Sequence, residues 1–143
     1  MAFKFRLETS LRLANQELDI ARGLLAQEIR KMQKVMEQRD NQAAILTGAW
    51  QGQKKACLQE PVNLGFWQKY SLEQQEKLHK YEKELEEQEK IVAEHREKLV
   101  ECRIKVEKFK RLKEKKLRLF KIEELKKEQS VIDEIAQKRT GRK

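Results

Sequence analysis

The residues best equipped for chemistry are few and far apart. His79 and His95 are sixteen positions from each other, about 24 Å if one helix carries both. Neither has cysteines or carboxylates at ligand spacing, so no metal is expected. No histidine is placed to activate Cys57 or Cys102, and the chain has neither a glycine-rich phosphate loop nor a nucleophile elbow. The many glutamates stand at helical spacing from lysines, as in Glu73 with Lys77 and Glu86 with Lys90. Such pairs contribute about a few tenths of a kcal/mol to a helix surface. The pattern predicts no enzyme and no cofactor, and a thin helical chain would have no concave pocket in which to desolvate a substrate.

Charge is the stronger signal. The formal net charge is +9, and it is unevenly spread. Residues 73–101 hold six Lys or Arg against ten Glu, whereas residues 103–121 hold ten against two. The block Lys108, Lys110, Arg111, Lys113, Lys115, Lys116 and Arg118 is either the solvated face of a helix or a surface that steers an acidic partner. Specific nucleic-acid reading is not expected, because Leu112, Leu117, Leu119 and Phe120 interrupt the basic face that a zipper-type reader would need. Phosphate-only contact and contact with anionic lipid are the sequence-independent alternatives.

Only helices can position such residues. Charged residues make up 40% of the chain and aromatics 6%, with five glycines, a mix typical of long helices and coiled coils. Strand formers occur singly between charges, so no sheet is expected. No stretch approaches the roughly 20 apolar residues of a membrane span, and the first nine residues lack the apolar core of a signal peptide. A cytoplasmic protein is expected. Two cysteines agree with a reducing compartment, and their separation in a hairpin argues against an internal disulfide.

The only proline, Pro61, lies between long tracts free of proline, with Gly65 four residues on. Proline inside a helix costs about 3 kcal/mol and pushes the preceding residue to extended geometry. The chain should therefore turn here. The expected architecture is all-α, one domain over residues 1–143: a long antiparallel two-helix coiled-coil hairpin with the second helix longer than the first. Helix 1 would run over about 7–58, the turn over about 59–66, with a possible short helix to 70, and helix 2 over about 67–139.

A coiled-coil seam of alternating three and four spacing fits both arms. In the first it is Leu7, Leu11, Ala14, Leu18, Ala21, Leu25, Glu28, Met32, Val35, Arg39, Gln42, Leu46, Ala49, Gln53 and Ala56. Eleven of these fifteen are apolar, in a chain that is 38% apolar. In the second it is Trp67, Ser71, Gln74, Leu78, Tyr81, Leu85, Gln88, Val92, His95, Leu99, Cys102, Val106 and Phe109. Ser71 and Gln74 have the form of a capping box. After Phe109 the apolar series resumes out of phase as Leu112, Leu119, Ile122, Leu125, Ile132 and Ile135, which reads as a three-residue stammer. Thr140 and Gly141 should end the helix before a basic tail, Arg142 and Lys143.

Arms of about 50 and 70 residues would span roughly 75 and 105 Å, so they cannot end together. Folding at Pro61 pairs positions whose numbers sum to about 125 at that rise, setting Leu7 near Arg118. Phe120, Ile122, Leu125, Val131, Ile132 and Ile135 would then project as an apolar stripe, the mark of an interaction surface.

Both ends of the chain resemble the flagellar FliJ family, from the type III export apparatus. The resemblance runs through Phe3, Phe5, Leu7, Glu8, Thr9, Leu13, Ala14, Glu17, Leu18, Ala21, Leu24 and Leu25, and again through Val131, Ile132, Asp133, Glu134, Ile135, Ala136, Gln137 and Lys138. It implies a noncatalytic coiled coil similar to the central stalk subunit of rotary ATPases. The implied partners are the hexameric export ATPase FliI, the export gate FlhA and export chaperones, with membrane association at the cytoplasmic face only through them. Carried onto this chain, the ATPase-binding end comprises Leu7, Leu11, Leu18, Asp133, Glu134 and Ala136, to which the projecting stripe adds Phe120, Ile122, Leu125 and Ile132. Gln38 and Tyr70 fit the family's gate-binding surface, whereas Gln42 and Gln74 stand where apolar residues are common. The competing expectation is a self-associating scaffold in which two overhangs pair as a four-helix bundle.

Overall fold

A computed structural model describes residues 2–141. It is 94% helical, with two helices packed against each other and no strand among the described residues. Helix α1 spans Glu8–Gln59 and α2 spans Leu64–Thr140, joined by a 3-10 turn at Pro61–Asn63. The break is narrower than expected. Glu60 takes the extended geometry that a following proline imposes, with φ −137° and ψ 71°. The Asn63 amide donates to the Glu60 carbonyl at 3.1 Å, and the Asn63 side chain donates to Glu60 Oε2 at 2.9 Å. Leu64 is already helical, and Gly65 has no positive φ, so the glycine sits inside α2 and does not terminate anything. Ser71 likewise lies within α2 and caps nothing.

The chain divides into two compact units, Ala21–Leu99 around the turn and Met1–Ile20 with Val100–Lys143 at the termini. In both, the three and four spacing of the sequence marks the covered face. Leu7, the fourteen seam positions within α1 and the thirteen of α2 are all buried or half-buried. Several buried positions are alanines, Ala14, Ala21, Ala49 and Ala56, whose small side chains allow close helix approach.

In the turn unit the seam carries a polar layer. Gln42 and Gln74 are buried, and Gln42 Nε2 donates to the Gln74 carbonyl at 3.0 Å and to its Oε1 at 2.7 Å. The expected register would have put Gln42 opposite Lys83. The observed partner lies nine positions nearer the turn, which closes sooner than expected. Gln88 Nε2 makes the equivalent pair of bonds to Glu28, at 3.0 Å to its carbonyl and 2.7 Å to its carboxylate. The Ser71 hydroxyl is buried without a partner.

In the terminal unit the chain before α1 extends the seam. Phe3 packs on Phe120 with ring centroids 5.5 Å apart, and Phe3, Phe5 and Leu7 line a cleft with Leu112, Lys116, Leu119 and Phe120. Leu7 thus lies among residues 112–120 of α2, the neighbourhood expected for it. Ion pairs link the two helices at Lys113–Glu8, 2.8 Å, and Lys105–Glu17, 3.3 Å. The covered positions of α2 after Phe109 are Leu112, Lys113, Leu117, Phe120 and Glu124. Phe109, Lys113 and Leu117 are separated by two successive steps of four, and Lys116 and Glu123, which strict alternation would reach, are exposed, so the covered series slips by one position here. The expected slip is thus present, but as an extra four-residue step in place of the three-residue stammer expected from Leu119, Ile122 and Leu125. Those apolar residues have left the covered face, while polar stems such as Lys113 fill it. The Arg142–Lys143 tail lies outside the described residues.

Candidate interaction surfaces

Beyond Glu124 no residue of α2 is buried or half-buried among those described. Ile122, Leu125, Val131, Ile132 and Ile135 are about half exposed or more, up to 64% at Leu125. Apolar side chains on a helix remain exposed at a cost unless another surface covers them, since full burial of one contributes about 1.5–3 kcal/mol. Gln129 Nε2 bonds Asp133 Oδ1 at 3.2 Å across one turn. The Thr140 hydroxyl donates to the carbonyls of Ala136 and Gln137, at 3.1 and 3.0 Å, which closes the helix end. On the amino-terminal side of this apolar run lies the basic block, exposed along most of its length.

A second surface lies in the turn unit. Phe66 stacks on Tyr70 at 6.5 Å, and both meet Trp67 edge-on, at 6.2 and 6.0 Å. Trp67 lies over Gly52, where a side chain's first carbon would come within 2.5 Å of the indole. Together with Ile45, Gly48 and Ala49 the three aromatics line a shallow cleft, and Phe66 itself is 69% exposed. Trp67 and Ala49 belong to the heptad seam, but Phe66 and Tyr70 lie outside it. The cluster's sequence signal is Gly52, a glycine in an otherwise good helix, where the Trp67 ring meets the α1 backbone; Gly48, one turn before it, lines the cleft with nothing within 4 Å of its own missing side chain.

The profile of the flagellar FliJ protein family matches residues 3–143. The chain belongs to that family. No curated protein and no solved structure matched it. FliJ proteins are noncatalytic components of the flagellar export apparatus, which assigns this chain to flagellum biogenesis and protein export. No helix among the described residues is long and apolar enough to cross a membrane, and none of them form a group of three or more potential metal ligands.

Within this chain the expected surface residues fall into distinct settings. Leu11 and Leu18 are buried in the seam, and Leu7 is half-buried, so none of the three is part of the exposed terminal surface. Phe120, expected in the projecting stripe, is half-buried under Phe3, because the segment before α1 reaches further along α2 than helix 1 alone would. Ile122, Leu125, Ile132, Asp133, Glu134 and Ala136 are all exposed. Gln38 is exposed and Tyr70 half-buried. Gln38 lies one turn before Gln42 and Tyr70 one turn before Gln74, so in antiparallel helices the Gln42–Gln74 layer separates them by about 12 Å along the axis. Both cysteines are free, Cys57 exposed and Cys102 half-buried.

Electrostatically the seam has one marked feature. Hydrogen bonding from the Gln88 amide holds the Glu28 carboxyl below its usual range, against a smaller opposing effect of burial; Lys31, 3.3 Å away, and His95 add to the lowering.

Proposed function

We propose that this FliJ-family chain binds the export ATPase FliI as a noncatalytic, central-stalk-like coiled coil, and couples it to the export gate FlhA and to export chaperones. The observation that carries this reading is the exposed apolar run of α2 from Ile122 to Ile135, which α1 does not cover. Ile122, Leu125, Ile132 and Ala136, with Asp133 and Glu134 beside them, form the ATPase contact. Leu7, Leu11, Leu18 and Phe120 hold that contact in shape. The aromatic cluster around Tyr70, with Gln38 further along α1, is the gate-facing surface. The protein works at the cytoplasmic face of the cell membrane and is held there by its partners.

The test is a pair of single variants, Leu125→Asp and Ile132→Asp, in purified protein. Both residues are exposed, so far-UV helicity should stay at the wild-type level while ATPase binding falls about tenfold or more, in line with removing an interface anchor. Unchanged binding, together with unchanged motility of cells carrying the same variants, would sink the assignment. The same exposed run also suits a self-associating scaffold, and analytical ultracentrifugation separates the readings: a monomer at tens of micromolar disposes of the constitutive dimer, whereas a dimer lost in Leu125→Asp favours it.

A further inference from the structure

The face of α2 opposite its seam in the terminal unit follows one unbroken alternation of four- and three-residue steps. It starts at Ile104, passes through Lys108, Arg111, Lys115 and Arg118, and continues through Ile122, Leu125, Gln129, Ile132 and Ala136. Side chains at this spacing share one stripe of a helix, and every position in the series is exposed. The stripe lies about half a turn away from the covered positions Val106, Phe109, Lys113 and Phe120. Its composition changes along its length: cations occupy four successive positions, then apolar residues take over in the same phase.

The acidic residues of α2 do not cancel the cationic part. Glu107 is 3.9 Å from Arg111 and Glu114 is the other carboxylate among residues 103–121, against ten Lys or Arg. Lys105 and Lys113, which pair with Glu17 and Glu8 of α1, belong to other faces. The cations of the stripe point away from α1.

We infer that this stripe receives one amphipathic helix of a partner protein, carrying an apolar run followed by carboxylates at the same three and four spacing. The apolar turns of that helix cover Ile122 to Ala136, and its carboxylates meet Lys108, Arg111, Lys115 and Arg118. This rests on the assignment of the apolar run as the ATPase contact and names the chemistry the ATPase must present there. Lengthwise order argues for a protein and against a lipid surface. A bilayer presents headgroup and hydrocarbon as layers, so a helix lying on it needs cations flanking its apolar face at each level. Here the apolar part is flanked by the exposed carboxylates Glu128 and Asp133 as well as by Lys121 and Lys126, so an anionic headgroup layer would meet like charge there. Along the stripe itself cations and apolar residues succeed one another in the order of contacts that a linear partner matches. Charge complementarity of this kind acts on encounter and orientation as well as on affinity.

The experiment compares ATPase binding by the wild-type chain, the variant Lys108→Ala/Arg111→Ala/Lys115→Ala/Arg118→Ala, the single variant Ile132→Asp, and a charge-matched control, Lys77→Ala/Lys80→Ala/Lys83→Ala/Lys90→Ala, in the turn unit. Each is measured at about 0.1 M and about 1 M salt, where screening lengths are roughly 10 and 3 Å. Far-UV spectra confirm that helicity is kept. The expected result is an affinity loss of about tenfold or more at low salt for the stripe variant, from four lost pairs of modest strength, and little further loss at high salt. The control should bind as wild type does. If Ile132→Asp abolishes binding but the stripe variant matches wild type at both salts, the two-part surface is overturned while the ATPase contact stands. If neither variant changes binding, both fall. Equal losses from the stripe variant and the control would show a net-charge effect and overturn the assigned location. In a parallel arm with anionic vesicles of phosphatidylserine and phosphatidylcholine, wild-type binding that the stripe variant loses, alongside unchanged ATPase binding, would make the occupant a membrane and overturn the helix.

Discussion

Glycine to alanine changes in α1 should have opposite signs at positions one turn apart, and the reason is Trp67. Alanine is favoured over glycine by about 1 kcal/mol in a helix interior, because glycine has more backbone freedom to lose on folding. At Gly23 and Gly48 nothing lies within 4 Å of an added side-chain carbon, so that gain should be realised in full. At Gly52 the added carbon would stand 2.5, 2.7 and 2.8 Å from three atoms of the Trp67 ring. Carbon atoms in contact prefer about 3.5–4.0 Å, so the indole must retreat by about 1 Å or rotate. Trp67 is itself wedged edge-on against Phe66 and Tyr70, and overpacking of such a site costs about 1–3 kcal/mol. Gly52→Ala should therefore be neutral or destabilising by about 2 kcal/mol, and the gap between it and Gly48→Ala about 1–3 kcal/mol. In thermal melts, Gly48→Ala should raise the midpoint by about 2–4 °C for a chain of this size, and Gly52→Ala should not. Near-UV circular dichroism should change for Gly52→Ala alone, since only there do the aromatic rings move. Equal stabilisation by the two substitutions would refute the close approach of the indole to the α1 backbone.

Four further outcomes follow from the seam and the turn. Replacing Gln42 alone by Leu leaves the buried Gln74 amide without its partner and should destabilise by about 1–3 kcal/mol in urea titrations, whereas the double change Gln42→Leu/Gln74→Leu should recover most or all of that loss. Ser71→Ala deletes a buried hydroxyl that bonds to nothing and improves helix propensity, so the midpoint should rise; a fall would mean that the hydroxyl has a partner. Because Gln88 lowers the Glu28 carboxyl pKa on folding, this pair adds stability above the ordinary glutamate pKa and loses it as the pH falls through the lowered value. The stability difference between wild type and Gln88→Leu should accordingly shrink on acidification, and a difference that holds constant into strong acid would exclude the charged hydrogen bond. Inserting two glycines after Val62 adds only about 0.4 kcal/mol of loop-closure cost beyond the lost Glu60–Asn63 bond, so ATPase binding should persist; its loss would make the turn, and not the terminal end, the docking site.

The seam was legible because it is a local property: each covered position could be assigned from the spacing of its own helix, without knowing what lies opposite. Register was not local in this sense. It depends on where the turn closes, and the turn closes on an Asn63–Glu60 bond that leaves Gly65 with nothing to do. The slip takes a different form from the expected stammer for a related reason: apolar identity is not the same as seam membership. Along most of α1 the two coincide, but beyond Phe109 they separate: Lys113 and Glu124 are half-covered while Leu119, Ile122 and Leu125 are exposed.

That separation is what makes the terminal surface readable. A helix whose apolar residues tracked the seam to its end would show the positions α1 covers and nothing of a second surface. Here the apolar series changes face between Phe120, held under Phe3, and Ile122, exposed only two residues on. Two residues are about 200° of helix rotation, so the series crosses to the side that neither α1 nor the amino-terminal segment reaches. The apparent slip in the heptad was a real discontinuity. It records a second apolar face on the same helix, in phase with the cations that precede it, and the spacing of that face is the one a further helix would need.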